Sequence, residues 1–316
     1  MIIRSVRETD SASVRALCAA ALWLEPDAAD LPAVLHQAPV ALAAEVAGAV
    51  VAVGYGSVRD LPASAVTSIG IGGAAAASTG LIGHVDLLAV APAHQGNGVG
   101  KALLAALEDA LAGLGATEIR LGGNSPVYLW PGVDPRYTAA TCLADQAGYH
   151  RQRDGVNLIV DLDAISLDTG AVERTLAAGG ISVRRAETDE AQAIYDWLLQ
   201  TPYGASSWPA EARAAVASES ASCHVAVTQE GYLGFACQGV NRGDTFGPMA
   251  TLPTNQRSGI GTVLLIRCLA DIKAAGHASA QIGWAGPVRY YGRAVGARID
   301  RVFWIYRKAL ADGPSA

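Results

Sequence analysis

Twice along this chain a strand-like run is followed by a glycine turn and then by an amphipathic helix. The turns are Gln95-Gly96-Asn97-Gly98-Val99-Gly100 and Gln256-Arg257-Ser258-Gly259-Ile260-Gly261, both Gln-x-x-Gly-x-Gly and 161 positions apart. Glycines without Cβ let successive N–H groups face one concavity, and the following helix adds its positive N-terminal end. Such a turn holds a pyrophosphate without a Lys or Arg. The spacing differs from the Gly-x-Gly-x-x-Gly dinucleotide fingerprint and from the P-loop, which ends in Gly-Lys-Ser/Thr. Two copies predict a repeated fold, and 316 residues are enough for two cores of ordinary size.

The rest of the sequence repeats in step. Ile2 to Arg7, Glu8-Thr9-Asp10 and a helical stretch through Leu22 are echoed by Ile181 to Arg185, Glu187-Thr188-Asp189 and a helix through Leu199. Thr9 or Asp10, and Thr188 or Asp189, suit the N-caps of these helices. Hairpin-like strands follow at 40–46 and 50–58, then at 224–228 and 233–240. A strand closes each unit after the glycine turn and its helix, at 118–121 and 279–282. Pro126-Val127 and Pro287-Val288 keep the 161-residue offset. The first unit is expected over 1–165, a polar linker with a short helical piece over 166–180, and the second unit over 181–316. Helical spacing buries Leu103, Leu104, Leu107, Leu111 and Leu114 in one unit, and Leu264, Leu265, Cys268, Leu269 and Ile272 in the other. The first unit also carries about 13 extra residues, centred on the aromatic, proline-rich run Tyr128 to Tyr137. This reads either as a substrate wall or as a surface loop packed by its own rings.

Composition removes several classes. Hydrophobic residues reach 51 % against 16 % charged, yet no run of about 20 apolar residues is free of charges or glycines. Val40 to Val53 contains Glu45 and Gly48 and reads as a hairpin. The opening residues Met1 to Arg7 lack the apolar core of a signal peptide, so a cytoplasmic protein without a membrane partner is expected. Five scattered cysteines form no Cys-x-x-Cys pair and are expected as buried free thiols. The six histidines include no close pair, so no metal is expected. A net charge of −6 without a Lys/Arg cluster argues against nucleic acid.

A Gln-x-x-Gly-x-Gly turn between a strand (Val85 to Val90; Phe246 to Leu252) and a helix (Lys101 to Leu114; Thr262 to Ile272) resembles the acetyl-CoA pyrophosphate loop of the GNAT superfamily of N-acetyltransferases. The resemblance covers both halves. It implies an α/β (α+β) fold of two tandem GNAT domains, each a mixed, mostly antiparallel twisted sheet flanked by helices. It implies acetyl-CoA as cofactor, with pyrophosphate on Gln95, Gly96, Asn97, Gly98, Val99 and Gly100, or on Gln256, Arg257, Ser258, Gly259, Ile260 and Gly261. The pantetheine arm would lie along Leu88, Ala89 and Val90, or Met249, Ala250 and Thr251, where the family's fourth and fifth strands splay apart.

The family's general acid is a tyrosine in the last helix before a glycine. Tyr291 occupies that place in the second half, with Tyr290 as the alternative if one extra residue shifts the register; in the first half Ala144 stands there. The second unit is therefore expected to be catalytic and the first to bind CoA without turnover. Asp244 is the base candidate of the second half. Asp86 is a base in some schemes of the family, or simply a strand aspartate bonded to nearby backbone. Trp208, Trp284 and Arg289 are the expected substrate-lining residues, with Tyr203 beside them. The resemblance is to two-domain relatives such as glucosamine/glucosaminide N-acetyltransferases and mycothiol synthase. It implies acetylation of a small-molecule primary amine, an amino sugar, by a monomer or homodimer. Aminoglycoside or peptide-amine acetylation, and a CoA-binding sensor or scaffold without turnover, are the alternatives.

Overall fold

A computed structural model describes residues 1–60, 81–124, 128–204 and 206–310. The Pro126-Val127 match lies outside the described residues. The first half runs β1 (Ile2–Ser5), α1 (Ser11–Ala21), α2 (Leu31–Val34), β2 (Val40–Val46), β3 (Ala49–Asp60), β4 (Leu81–Val90), α3 (Val99–Gly113), β5 (Ala116–Leu121), α4 (Thr138–Gln146) and β6 (His150–Asp161). Helix α5 (Gly170–Ala178) lies in the linker. The second half repeats the plan as β7 (Ser182–Arg185), α6 (Ala191–Leu199), α7 (Trp208–Ala217), β8 (Ser222–Thr228), β9 (Gly231–Gln238), β10 (Thr245–Thr251), α8 (Ile260–Ala274), β11 (Ser279–Ile282), α9 (Val288–Val295) and β12 (Arg298–Ala309).

These strands form one continuous mixed sheet in the order β1-β2-β3-β4-β5-β12-β6-β11-β10-β9-β8-β7. Only β4 with β5 and β10 with β11 run parallel, as their helical crossovers require. At the centre the halves exchange their last strands. β12 pairs β5 through Arg307↔Arg120 to Ala309↔Glu118, while β6 pairs β11 through Ser279↔Asp161 to Ile282↔Leu158. The two exchanged strands also pair each other, from Arg298↔Ile159 to Arg307↔His150. Each half of the sheet is thus completed by backbone from the other.

Helices cover both faces. Fully buried Leu103, Leu107 and Leu111 of α3 pack on β2 to β5 from one side, and Val14, Leu17 and Leu31 of α1 and α2 pack on the other. Removing one such leucine side chain typically costs about 2–5 kcal/mol. In the second half Leu264, Leu265, Cys268, Leu269 and Ile272 of α8 do the same, opposite Ile194 and Leu198 of α6. Leu114 departs from the expected stripe: α3 ends at Gly113, and Leu114 turns out 42 % exposed.

The capping expectations are met in part. Asp10 is the N-cap of α1, but Glu190, one residue past Asp189, is the N-cap of α6. Each carboxylate reaches back to a backbone N–H three residues earlier, Arg7 at 2.8 Å and Glu187 at 2.8 Å. Each also accepts a two-pronged arginine, Arg4 on Asp10 and Arg184 on Glu190. These bonds hold Asp10 and Glu190 low, each at about 2. The described cysteines are free thiols, and Cys142, contrary to expectation, is exposed. Among the described residues no helix is long and apolar enough to cross a membrane.

Candidate functional site

The first glycine turn is open. Gly96 (φ 75°) and Gly98 (φ 78°) both lie in the left-handed region, and a Cβ on either would touch nothing. Backbone conformation, not crowding, therefore selects glycine. Gly98 is the N-cap of α3, a helix of 15 residues, so free N–H groups and the positive dipole end face the turn. The Gln95 side chain donates to the Val90 carbonyl at 3.0 Å and ties the turn to the end of β4.

Beside it the sheet opens. β4 and β5 pair in parallel up to Val85↔Leu121, and Gly122 N–H donates a last bond to the Val85 carbonyl at 2.9 Å. From Asp86 to Val90, β4 has no strand partner on that side among the described residues. The expected splay is present, and at the equivalent place β10 and β11 part after Phe246↔Ile282. In the first half the opening becomes a cleft of about 830 Å³ that runs from Gln95, Gly96, Gly98 and Gly100 past Asp86 to Trp23, Tyr137 and Arg301. The aromatic insertion supplies its far wall: Gly123 N–H donates to the Trp130 carbonyl at 2.9 Å, which folds the insertion against the end of β5.

Asp86 is a buried carboxylate beside the glycine-turn end of this cleft. Among the described residues its partners are side chains: Ser57 Oγ donates to Oδ2, and Asn124 Nδ2 donates to Oδ1 at 3.0 Å and also to Ser57 Oγ. Burial pushes its carboxyl up to about 6, against the pull of those two donors and of the Arg59 charge. Two residues back, His84 Nδ1 donates to the Gly122 carbonyl at 2.9 Å, and burial lowers the imidazole pKa to about 3. It is a neutral imidazole at working pH, with the proton on the nitrogen that faces the carbonyl.

The far end is charged. Glu25 Oε1 accepts from Trp130 Nε1 at 2.8 Å and Arg301 Nη1 at 2.5 Å, while Oε2 accepts from Arg242 at 3.0 Å. Arg301 Nε also donates to Asp134 Oδ2 at 2.9 Å, and Arg136 forks onto the same carboxylate at 3.0 and 2.7 Å. Arg242 and Arg301 come from the second half, so this cluster binds the halves together. Tyr137 Oη accepts the Leu24 N–H at 3.0 Å, and its ring meets the exposed Trp23 edge-on at 5.6 Å.

The second turn is built less freely and is partly covered. Arg257 takes the place of Gly96 and sits at φ 65°, a left-handed conformation that costs a non-glycine residue roughly 1–2 kcal/mol. A Cβ on Gly259 would lie 2.8 Å from Val172 of α5, because the linker helix lies across the start of α8. Glu173 and Arg267 pin it there with bonds of 2.9 and 2.8 Å. Along β10, Tyr203 Oη donates to the Thr251 carbonyl at 3.0 Å, and Gly247 stands where β4 has Asp86.

The other sequence candidates are dispersed. Tyr291, only 6 % exposed, packs in the core with its ring against Phe246 at 6.1 Å and Tyr290 at 5.2 Å, and burial raises its phenol. Tyr290 points its buried hydroxyl at the start of α8, 3.3 Å from where a Cβ on Gly261 would be. Asp244 stands before β10; its carboxylate accepts a long 3.3 Å bond from Thr245 Oγ1 and its carbonyl accepts the Gln281 N–H at 2.8 Å. Trp208 stacks on Tyr203 at 5.2 Å. Trp284 donates its backbone N–H to Asn157 Oδ1 at 2.9 Å, and its ring packs edge-on against Tyr128 at 5.8 Å. Arg289 is exposed on α9. None of Trp208, Trp284, Arg289, Asp244, Tyr290 or Tyr291 lines the first-half cleft. Sequence reading did not single out Trp23, Tyr137 as a site group, Glu25 or Arg301; their signal is contact between distant segments, which spacing does not encode.

Residues 13–127 match the model of the acetyltransferase (GNAT) family. No curated protein matches the chain. Among solved structures, the glucosamine N-acetyltransferase region of a fungal multi-domain beta-N-acetylglucosaminidase superposes with a TM-score of 0.77 at 17 % identity. That match covers 97 % of this chain, which spans 38 % of the fungal one. A GCN5-related N-acetyltransferase from Sphaerobacter thermophilus gives 0.64 at 17 % identity, over 100 % of this chain and 97 % of that one. A tandem GNAT protein from the clavulanic acid biosynthesis pathway gives 0.67 at 16 % identity, over 100 % and 99 %. At such identities the likeness is one of fold. The segment that carries the open glycine turn, the splayed β4 and Asp86 is therefore the one that matches the acetyltransferase (GNAT) family, in a chain whose fold is that of a tandem GNAT protein.

Proposed function

We propose that this protein is an N-acetyltransferase that moves an acetyl group from acetyl-CoA to the primary amine of a small molecule, an amino sugar, and that the chemistry takes place in the first half. The observation that carries this reading is Asp86: a buried carboxylate of raised pKa lies in the same cleft as an unobstructed pyrophosphate turn. In the second half the corresponding residue is Gly247 and the turn lies under α5.

The cleft fits the cofactor. Gly96 and Gly98 leave the cradle empty of side chains, and the N-terminus of α3 supplies N–H donors for the pyrophosphate. The unpaired side of β4 from Leu87 to Val90 offers backbone groups for the pantetheine arm. When bound, acetyl-CoA supplies the activated acyl group. Asp86 takes a proton from the incoming ammonium; a base of pKa about 6 is largely ionised near neutrality and still accepts a proton readily. Tyr137 Oη, which accepts from Leu24, keeps its own proton to give to the leaving sulfur. The faces of Trp23 and Tyr137 suit the C–H surface of a sugar ring, in keeping with the glucosamine N-acetyltransferase region whose fold this chain shares.

A second reading places the proton donor in the second half. Its support is the Tyr290 hydroxyl, buried at Gly261, with Tyr291 beside it. Thiol release from acetyl-CoA, screened over amines that include glucosamine, tests both. The first-half reading requires that Asp86→Asn abolish turnover and that Tyr290→Phe and Tyr291→Phe leave it largely intact. The reverse pattern would move the chemistry to the second half.

A further inference from the structure

Arg301 reaches the first-half cleft from β12, the strand donated by the second half. Its side chain is 7 % exposed. Nε bonds Asp134 and Nη1 bonds Glu25, but Nη2 is buried and has no hydrogen-bond partner among the described residues. The neighbouring carboxylates are already occupied: Asp134 takes Arg136 as well, and Glu25 takes Arg242 and Trp130. Of these guanidinium groups, Arg301 is buried with the two carboxylates, Arg242 is partly buried beside them, and Arg136 is 48 % exposed. Asp27, 3.4 Å from Arg242, stands at the rim and is 42 % exposed. A buried donor left unpaired is costly, and an oxyanion is the strongest partner for a guanidinium N–H.

We infer that the acceptor carries a carboxylate in addition to its amine, and that Arg301 is the residue that selects it. This rests on placing the reaction in the first half. The amine then lies toward Asp86, whose negative charge favours an ammonium, and the carboxylate lies toward Nη2 of Arg301. One end of the cleft presents a carboxylate to the ammonium, and the other an unpaired guanidinium N–H to the carboxylate. Arg301 touches the substrate without taking part in proton transfer.

The test compares two matched pairs on the full chain: glucosamine with 2-amino-2-deoxyglucuronic acid, and β-alaninamide with β-alanine. Binding is measured by calorimetry in the presence of CoA, and turnover by thiol release from acetyl-CoA. The carboxylate-bearing member of at least one pair is expected to bind about tenfold more tightly or better, with kcat/KM raised in proportion, as a charge-assisted arginine bond supplies. Arg301→Lys and Arg301→Gln should erase that preference while leaving CoA affinity unchanged, which also reports that the variants are folded. Equal binding within both pairs, or a preference that survives in the variants, overturns the inference. Should the variants fail to fold, the comparison on the wild-type chain alone decides it. Absence of thiol release with every amine, together with a binding preference that depends on Arg301, would overturn the acetyl-transfer reading and leave the carboxylate subsite standing.

Discussion

Glu25 and Arg301 stand 276 positions apart, yet Nη1 of the arginine donates to Oε1 of the glutamate at 2.5 Å inside the protein. The glutamate belongs to the turn after α1, and the arginine to the last strand of the chain. Both are almost wholly buried, at 1 % and 7 % side-chain exposure. Removing one partner of a buried pair leaves the other charge uncompensated, at a typical cost of about 3–5 kcal/mol. Glu25→Ala is therefore expected to lower the unfolding free energy by that order in urea titration. Loss below about 1 kcal/mol would mean that water or a neighbouring carboxylate takes over its bonds.

Asp86 sets a pH dependence whose sign follows from its raised pKa of about 6. A base works only when deprotonated, so kcat/KM should climb as pH rises through about 6 and then level off. Asp86→Asn should lower kcat by about 10²-fold or more and abolish that limb. A pH profile unchanged by the substitution would remove Asp86 from proton transfer.

The same shift predicts a stability effect of the opposite sense. The folded state holds the Asp86 proton between the unfolded value of 3.8 and about 6, so this group's contribution falls as pH rises across that window. In Asp86→Asn the stability measured between roughly pH 4 and 6 should lose this decline relative to wild type. An identical slope in both proteins would show that the carboxyl is not protonated in the folded state.

The two glycine turns should respond unequally to blockage. Gly98→Val places a β-branched side chain at φ 78° and into the open cradle, and should abolish CoA binding by calorimetry. One CoA per chain is expected in wild type, because α5 lies over the second turn. Two sites of similar affinity, or one site indifferent to Gly98→Val, would contradict this.

Strand exchange predicts cooperative unfolding. β12 and β6 each carry ladder bonds into both halves, so neither half can lose its closing strand alone. Tryptophan fluorescence and far-ultraviolet dichroism should trace one coincident transition in urea. Two separated transitions would mean that each half keeps its sheet without the other.

Much of this was legible in the sequence. The hairpins, both glycine turns, α3 and α8 and the linker helix fall close to where period and turn chemistry place them, since those signals are local. The exchange was not legible. β6 and β12 are both 12 residues long and both follow a short helix, so nothing in either strand says which of β5 and β11 it should join. Asp86 reads from sequence as a strand aspartate of two possible uses; its Ser57 and Asn124 partners come from β3 and from the loop after β5 and become neighbours only in the folded sheet. Tyr290 and Tyr291 are adjacent in sequence but about 100° apart around α9, and the fold turns Tyr291 inward.

The donated strand also bears on how such a chain diverges after duplication. A second copy that only repeated the first could be lost once its own chemistry decayed. Here the second half supplies the strand that closes the first half's sheet and the arginine that reaches its cleft. Substitutions such as Arg257 in its glycine turn can then accumulate, while the first half's need for β12 keeps its backbone in place.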